Sequence, residues 1–280
     1  MLFLLLLVLF FGLLCLCSSN FFVWWSVFVL MTMVFLLIMK LMGNVSGVIN
    51  YFVIQESLGL FFLVFSGSFL QFLVVMMKVG VSPLHFWIFS VTNGLVGWGL
   101  LWFLTFQKLP FFFVLVVLID LNFFLLIFLG IVLCYLQIFV VKSYKNLFIL
   151  SSTESFNWVL LLSFVSLLSV LYLFIYYFVI MILLIMCYYQ KDFFDVSWET
   201  IMIFMNVPFG VSFFIKIFSL GSLLLGYNFF LLFLLFFMFL STLSISFWIV
   251  QSSMKDYSGI DGSYKSFYYF LFPLTVCVLF

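Results

Sequence analysis

Charged residues are scarce in this sequence and make up only 6% of its 280 residues. A soluble domain carries about 25% charged residues, so the composition excludes an ordinary soluble domain. Arginine is absent and the net charge is +1. Because nucleic acid is held mainly by clustered Lys and Arg side chains, no nucleic-acid partner is predicted.

Cysteine and histidine are too few and too scattered for a metal centre. The five cysteines all fall in apolar segments, without a CxxC pair or a nearby histidine: Cys15, Cys17, Cys134, Cys187 and Cys277. This pattern predicts neither a disulfide framework nor a zinc or iron–sulfur site. The GxGxxG, P-loop, GxSxG and HExxH motifs are missing as well, so no conventional catalytic site is predicted.

Long apolar runs dominate the sequence, which is 69% hydrophobic and 24% aromatic. Residues 1–39, 57–77, 121–141 and 217–254 contain no charged side chain. A helix of about 20 residues crosses the roughly 30 Å hydrocarbon layer, and each run is long enough to do so. The first run has no positive segment before it and no small-residue cleavage site, which favours a span over a signal peptide. The sequence predicts an all-α, polytopic transmembrane helix bundle.

Polar residues divide the chain into about eleven candidate spans. The predicted spans are 2–17, 21–40, 48–66, 67–90, 95–118, 121–141, 146–169, 170–189, 197–225, 227–251 and 265–280. The boundary near residue 170 has no polar marker. All connections are short, so residues 1–280 are predicted to form a single integral membrane domain.

The lysines in the loops indicate how the bundle is oriented. They all follow even-numbered spans: Lys40, Lys142, Lys145, Lys191, Lys255 and Lys265. The one charge in an odd-numbered loop is Asp120. By the positive-inside rule, the N-terminus is predicted inside and the C-terminus outside.

Three further lysines, Lys78, Lys108 and Lys216, lie near the middle of apolar segments. A lysine at mid-membrane costs roughly 2.5–3.5 kcal/mol to insert, which favours a function for it. Removed from water, a lysine is less well solvated as a cation and releases its proton more easily, while a nearby carboxylate opposes this. The functional interpretation is a proton or ion relay. The alternative is a set of misplaced loop residues or ion pairs that lock helices together.

A proline lies close to each of these lysines. Pro83 lies five residues after Lys78, and Pro110 lies two residues after Lys108. Pro208 lies eight residues before Lys216. Proline interrupts a helix, and interrupted helices are tolerated in membranes where their backbone lines a wet or protein-enclosed cavity. We therefore expect helix breaks beside the buried lysines.

Two carboxylates and the one histidine are the remaining candidates in the apolar segments. Glu56 lies in mid-span and is the best counter-charge for a deep lysine. Glu154 follows three hydroxyl residues and is a candidate for a hydrated path by which protons enter, or else an interfacial carboxylate. His85 either relays protons near Lys78 or is a hydrogen-bonded packing residue.

Three stretches resemble a known family. They are MMKVGVSPLHFWIFSVTNGLVGWGLLWFLTFQKLP (76–110), YKNLFILSSTESFNW (144–158) and NVPFGVSFFIK (206–216). All three are similar to segments of the chain 2 family of mitochondrial NADH:ubiquinone oxidoreductase, respiratory complex I. The resemblance runs in order from about residue 20 to residue 220 and is most specific in the first stretch.

The resemblance implies an antiporter-like fold with two broken helices, shortened at its N-terminus, and a subunit that pumps protons. It implies no bound cofactor, because NADH, FMN, the iron–sulfur clusters and ubiquinone belong to other subunits. The expected partners are other complex I subunits, especially the chain 4 and chain 4L membrane subunits, and phospholipids such as cardiolipin. The expected location is the mitochondrial inner membrane, with the N-terminus on the matrix side and the C-terminus on the intermembrane-space side.

The resemblance also assigns roles to individual residues. Lys78 matches the central lysine of the first broken helix, Lys108 the bridging lysine of the next helix, and Lys216 the lysine of the second broken helix. His85 matches a histidine of the family, which favours a function for it.

Two positions depart from the family. Val29 stands where the family has the glutamate that pairs with the central lysine, and we hypothesise that Glu56 takes over that pairing. Ser155 stands in place of a family histidine, with Glu154 beside it. A stand-alone cation/proton antiporter and a structural membrane subunit without its own proton path remain as alternatives.

Overall fold

A computed structural model describes residues 2–41, 45–65, 67–95, 98–141, 143–165, 167–190, 211–224 and 232–253. All regular elements within these ranges are helices. The α-helices are α1 (Leu2–Cys17), α2 (Phe21–Leu41), α3 (Val45–Val64), α4 (Ser68–Val79), α5 (Phe86–Thr92), α6 (Trp98–Leu104), α7 (Leu109–Leu118), α8 (Phe124–Ile138), α9 (Tyr144–Leu162), α10 (Leu167–Gln190), α11 (Val211–Leu224) and α12 (Leu232–Ser253). Short 3-10 segments at Phe106–Lys108 and Leu121–Phe123 lead into α7 and α8.

Four helical segments of the described part are long and apolar enough to cross a membrane: Phe21–Lys40, Gly47–Val64, Trp98–Leu118 and Leu121–Ile138. The third of these is almost wholly buried and forms the centre of the bundle. The outer helices leave large apolar side chains exposed, such as Phe22 and Val53. An apolar outer surface around a packed core is what a lipid environment requires, and the predicted all-α membrane bundle is confirmed.

The helix boundaries agree with the predicted spans where polar residues mark them. Predicted spans 2–17 and 21–40 correspond to α1 and α2. The unmarked boundary near residue 170 is placed too late, because α9 ends at Leu162. A 3-10 turn then bonds the N–H groups of residues 163–165 to the carbonyls of residues 160–162 before α10 begins. Predicted span 265–280, residues 197–210 and Pro208 lie outside the described residues.

A contact between Lys145 and Asn93 shows that two of the loops lie at the same end of the bundle. Lys145, in the first turn of α9, donates from its Nζ to the backbone carbonyl of Asn93 at 2.8 Å. Asn93 follows the fourth predicted span, and Lys145 follows the sixth. The two loops therefore lie at the same end of the bundle, as the parity of the predicted spans requires.

The packing of the helices divides the deep lysines between two regions. In the first region α3 packs against α2 and α4, and α4 also packs against α7. In the second region α9 packs against α8, α10 and α11. Lys78 belongs to the first region and Lys216 to the second, and Lys108 at the start of α7 lies between them.

Candidate functional site

The helix that carries Lys78 ends immediately after it. Gly80 adopts a left-handed conformation with φ of 73°, which a residue with a Cβ avoids. The N–H groups of Gly80 and Val81 both bond the carbonyl of Met76, at 2.9 and 3.0 Å, and close the end of α4. The chain then runs without helix until α5 begins at Phe86. The break predicted from Pro83 is present, and it starts three residues earlier, at the glycine.

Side chains from other helices bond the backbone carbonyls that the end of α4 leaves free. Trp87 Nε1 donates to the carbonyl of Met77 at 2.8 Å. Gln55 Nε2, from α3, donates to the carbonyl of Lys78 at 2.9 Å. Because a buried helix end without partners is costly, these two side chains stabilise the interruption.

The Lys78 ammonium group points back to the same glutamine. Its Nζ donates to the backbone carbonyl of Gln55 at 2.9 Å and lies 5.4 Å from the ring centroid of Phe28. Lys78 is only 3% exposed. Gly59 lies beside the ammonium, since a Cβ built there would be 3.5 Å from Nζ. The contacts that hold Lys78 are therefore with uncharged groups.

Glu56 lies next to this centre without forming a direct ion pair with Lys78. Its Oε1 lies 3.0 Å from the hydroxyl of Thr32 on α2, and that hydroxyl also lies 2.7 Å from the carbonyl of Val29. Glu56 nevertheless interacts electrostatically with Lys78. The carboxylate thus reaches toward the turn of α2 that contains Val29.

Lys108 lies at a second interruption, between α6 and α7. Thr105 ends α6, the 3-10 segment follows, and Pro110 occupies the first turn of α7. Proline is well accommodated in a first turn because it lacks the N–H that would be unbonded there. The N–H of Leu109 bonds the carbonyl of Phe106. Pro110 has no N–H and makes no such bond. The interruption predicted from Pro110 therefore lies just before the proline, at Lys108 itself.

The Lys108 ammonium group is surrounded by hydroxyls and aromatic rings. Its Nζ lies 3.4 Å from both the carbonyl and the hydroxyl of Ser152 and 3.3 Å from the hydroxyl of Tyr177. The ring of Phe156 is 5.2 Å away. Among the carboxylates of the described ranges, Glu56, Asp120 and Glu154, none lies within ion-pair distance of this lysine.

His85 is fully buried at the end of the break, immediately before α5. Its Nε2 lies 2.6 Å from Oε1 of Gln137 on α8. The backbone of Pro83 and, more weakly, the repulsive charge of Lys108 also act on the imidazole. The bond to Gln137 is what a hydrogen-bonded packing histidine would form, and the relay role beside Lys78 stays a prediction.

Lys216 on α11 forms a buried ion pair with Glu154 on α9. Glu154 is 1% exposed, so it lies inside the bundle rather than at an interface. The hydroxyl of Tyr135 interacts electrostatically with the Glu154 carboxylate and accepts a hydrogen bond from Trp158 Nε1 at 3.2 Å. This is the one ion pair that the structure gives within its described residues.

Two known proteins are similar to this chain over most of its length. NADH-ubiquinone oxidoreductase chain 2 of Caenorhabditis elegans is 51% identical over 269 residues, which cover 96% of this chain and 95% of the relative. NADH-ubiquinone oxidoreductase chain 2 of Ascaris suum is 52% identical over 259 residues, covering 92% of this chain and 86% of the relative. No family model matches the chain.

The chain belongs to the NADH-ubiquinone oxidoreductase chain 2 family. The family predicted from residues 76–110, 144–158 and 206–216 is thereby confirmed. The relatives align over nearly the whole chain, and so the assignment extends past the region of about 20–220 that carries the resemblance.

Two uncharged polar residues also belong to this site, Gln107 and Tyr51, and neither was predicted from the sequence. Gln107 donates from Nε2 to the hydroxyl of Tyr51 at 2.7 Å, and Tyr51 interacts electrostatically with Glu56. This links the residue before Lys108 to the centre of Lys78. Uncharged polar residues in an apolar span are a usable signal, because such groups need a partner inside the membrane. Within the described ranges, no group of three or more His, Cys, Asp or Glu could hold a metal ion.

Proposed function

We propose that this chain is a proton-translocating membrane subunit of respiratory complex I. Electron transfer from NADH to ubiquinone takes place in other subunits of the enzyme and drives proton movement through Lys78, Lys108 and Lys216. NADH, FMN, the iron–sulfur clusters and ubiquinone are bound by those other subunits. The chain contributes buried groups that hold and release protons.

The main support is the environment of Lys108. This lysine is 3% exposed, contacts neutral groups and lies between the Lys78 centre and the Lys216–Glu154 pair. A structural ion pair cannot explain a buried ammonium that has no carboxylate beside it. A group that must lose and regain its proton during turnover has a reason to be held in this way.

The contacts suggest an order for the relay. Lys78 interacts electrostatically with Glu56 without a direct ion pair. Nearby charges change the proton affinity of a lysine, so a change of charge in a neighbouring subunit would do the same to Lys78. His85 is buried at the end of the break and bonded to Gln137, and an imidazole there could pass a proton from the Lys78 centre towards Lys108. From Lys108 the path continues to Lys216 in the second region.

The surroundings of the subunit follow from the same proposal. It lies in the mitochondrial inner membrane with its N-terminus on the matrix side and its C-terminus on the intermembrane-space side. The chain 4 and chain 4L membrane subunits are its expected neighbours, together with phospholipids such as cardiolipin. The exposed apolar side chains of the outer helices suit contact with other membrane helices and with lipid.

Native gel electrophoresis of solubilised membranes separates this proposal from a stand-alone cation/proton antiporter. The chain should migrate with NADH dehydrogenase activity. Migration as a small, separate species without that activity would favour the antiporter.

The Lys78→Met variant of the assembled complex separates a proton path from a purely structural role. Methionine fills similar space without a charge, so assembly should persist while proton translocation falls. Lys40→Met, at the exposed end of α2, is the matched control and should pump normally. Retained pumping in assembled Lys78→Met complex would support the structural role.

A further inference from the structure

We propose that Glu154 is a proton-binding member of the relay, placed between Lys108 and Lys216. The inference rests on the proposed function above. It gives Glu154 a role inside the relay, in place of the earlier expectation of a path by which protons enter.

One turn of α9 contacts both lysines. Successive residues of an α-helix point about 100° apart, so neighbouring side chains face different partners. The hydroxyl and carbonyl of Ser152 face the Lys108 ammonium at 3.4 Å. Two residues later, Glu154 pairs with Lys216 on α11. The carboxylate therefore lies on the helix turn that separates the two ammonium groups.

The surroundings of Glu154 contain groups that can exchange protons. Tyr135 interacts electrostatically with the carboxylate, and its own hydroxyl accepts a hydrogen bond from Trp158 Nε1. On the preceding residue, Thr153 Oγ1 lies 3.6 Å from Sγ of Cys134. The other two carboxylates of the described ranges lie elsewhere, Glu56 on α3 and Asp120 in an exposed loop before α8. Within these ranges Glu154 is thus the carboxylate available to the second region.

The proposed step conserves protons and charge. The Lys108 ammonium gives one proton to the Glu154 carboxylate, by way of the hydroxyls that contact Lys108, leaving a neutral amine and a neutral carboxylic acid. Lys216 then faces an uncharged partner and releases its own proton to the next part of the path. The proton on Glu154 passes to the Lys216 amine and restores the ion pair. One proton has left Lys216, and Lys108 is ready to be protonated again from the side of Lys78.

The Glu154→Gln variant tests the step in purified complex I reconstituted into vesicles. The measurement is the number of protons translocated per NADH oxidised. Only assembled complex oxidises NADH, so this ratio does not depend on how much complex is present. The relay predicts that this ratio falls below that of the wild type. If Glu154 serves only to neutralise Lys216, the amount of assembled complex should fall, but the number of protons translocated per NADH should stay that of the wild type. That result would overturn the proposal.

A second variant covers the case in which Glu154→Gln does not assemble. Glu154→Asp keeps the charge but withdraws the carboxylate by one methylene, so the complex should assemble and its proton ratio should fall. An unchanged ratio overturns the proposal here too. Asp120→Asn, which removes an exposed carboxylate, is the control and should match the wild type.

Lys78→Met measured in the same preparations keeps the two proposals apart. If Lys78→Met lowers the ratio and the Glu154 variants do not, only the role of Glu154 fails. If Lys78→Met pumps normally, the proposed function fails.

Discussion

At the residue scale, the deep lysines of this chain are held in different ways. Lys78 contacts a backbone carbonyl and an aromatic ring, whereas Lys216 contacts a carboxylate. A buried ammonium without a paired carboxylate is the form more easily neutralised, because desolvation is then poorly compensated. The lysines therefore differ in whether a fixed negative charge lies beside the ammonium group.

Glu56 is expected to support proton movement although it makes no direct ion pair with Lys78. In Glu56→Gln the negative charge that interacts with Lys78 is lost while the side chain keeps its size. The number of protons translocated per NADH should fall clearly in the reconstituted complex. The complex should still assemble, because Glu56 is half-buried and makes no direct ion pair with a lysine. Asp120→Asn serves as the control. Full translocation in Glu56→Gln would show that another group balances Lys78.

The sequence allowed the lysines to be found because a charge in an apolar run is a local signal. It did not reveal their partners, since Glu154 and Lys216 are 62 residues apart and meet only through the packing of α9 and α11. Gln55 escaped notice for another reason. Its side chain bonds the end of α4, and that end had first to be placed in three dimensions.

At the scale of the elements, the break between α4 and α5 is built by a glycine and by the helices around it. Proline is the stronger sequence signal, but the helix has already ended at Gly80 when Pro83 is reached. Gly130 on α8 allows the loop to approach, because a Cβ there would collide with the carbonyl oxygen of Ser82. Asn157 Nδ2 lies 3.5 Å from the same oxygen. The location of the break thus depends on close packing with α8 and α9, which no local pattern in the sequence encodes.

Gly80→Ala should destabilise the break. A left-handed conformation costs a residue with a Cβ roughly 1–2 kcal/mol, and the added methyl group would also collide with the side chain of Ile88. The expected result is less assembled complex and a lower temperature of thermal inactivation. Gly67→Ala is the matched control, because its φ is −92° and no atom lies within 4 Å of the built Cβ. Equal stability of the two variants would argue against a strained break.

At the scale of the whole molecule, the loops provide a consistent topology. The contact between Lys145 and Asn93 places the loops after the fourth and sixth predicted spans at one end of the bundle. The parity of the loop lysines, read from the sequence, gives the same arrangement. Span counting is sensitive to such contacts, because an error of one span would reverse the side of all later loops.

The orientation of the termini can be tested with tags. An epitope at each end, probed in intact and permeabilised mitochondria lacking the outer membrane, should be protected at the N-terminus and accessible at the C-terminus. Both tags on one side would contradict an odd number of spans.

The central claim is that the buried lysines of this subunit carry protons, and Lys108 tests it most directly. Its ammonium contacts Ser152 and Tyr177 rather than a carboxylate, so Lys108→Met removes a proton-binding group without leaving an unpaired buried anion. A proton-transferring group typically contributes at least about 100-fold to its step, so flow through this subunit should fall about 100-fold. The decisive measurement is the number of protons translocated per NADH by assembled Lys108→Met complex in vesicles. The account predicts a fall to the ratio that the other subunits sustain, and an unchanged ratio in fully assembled complex would contradict it.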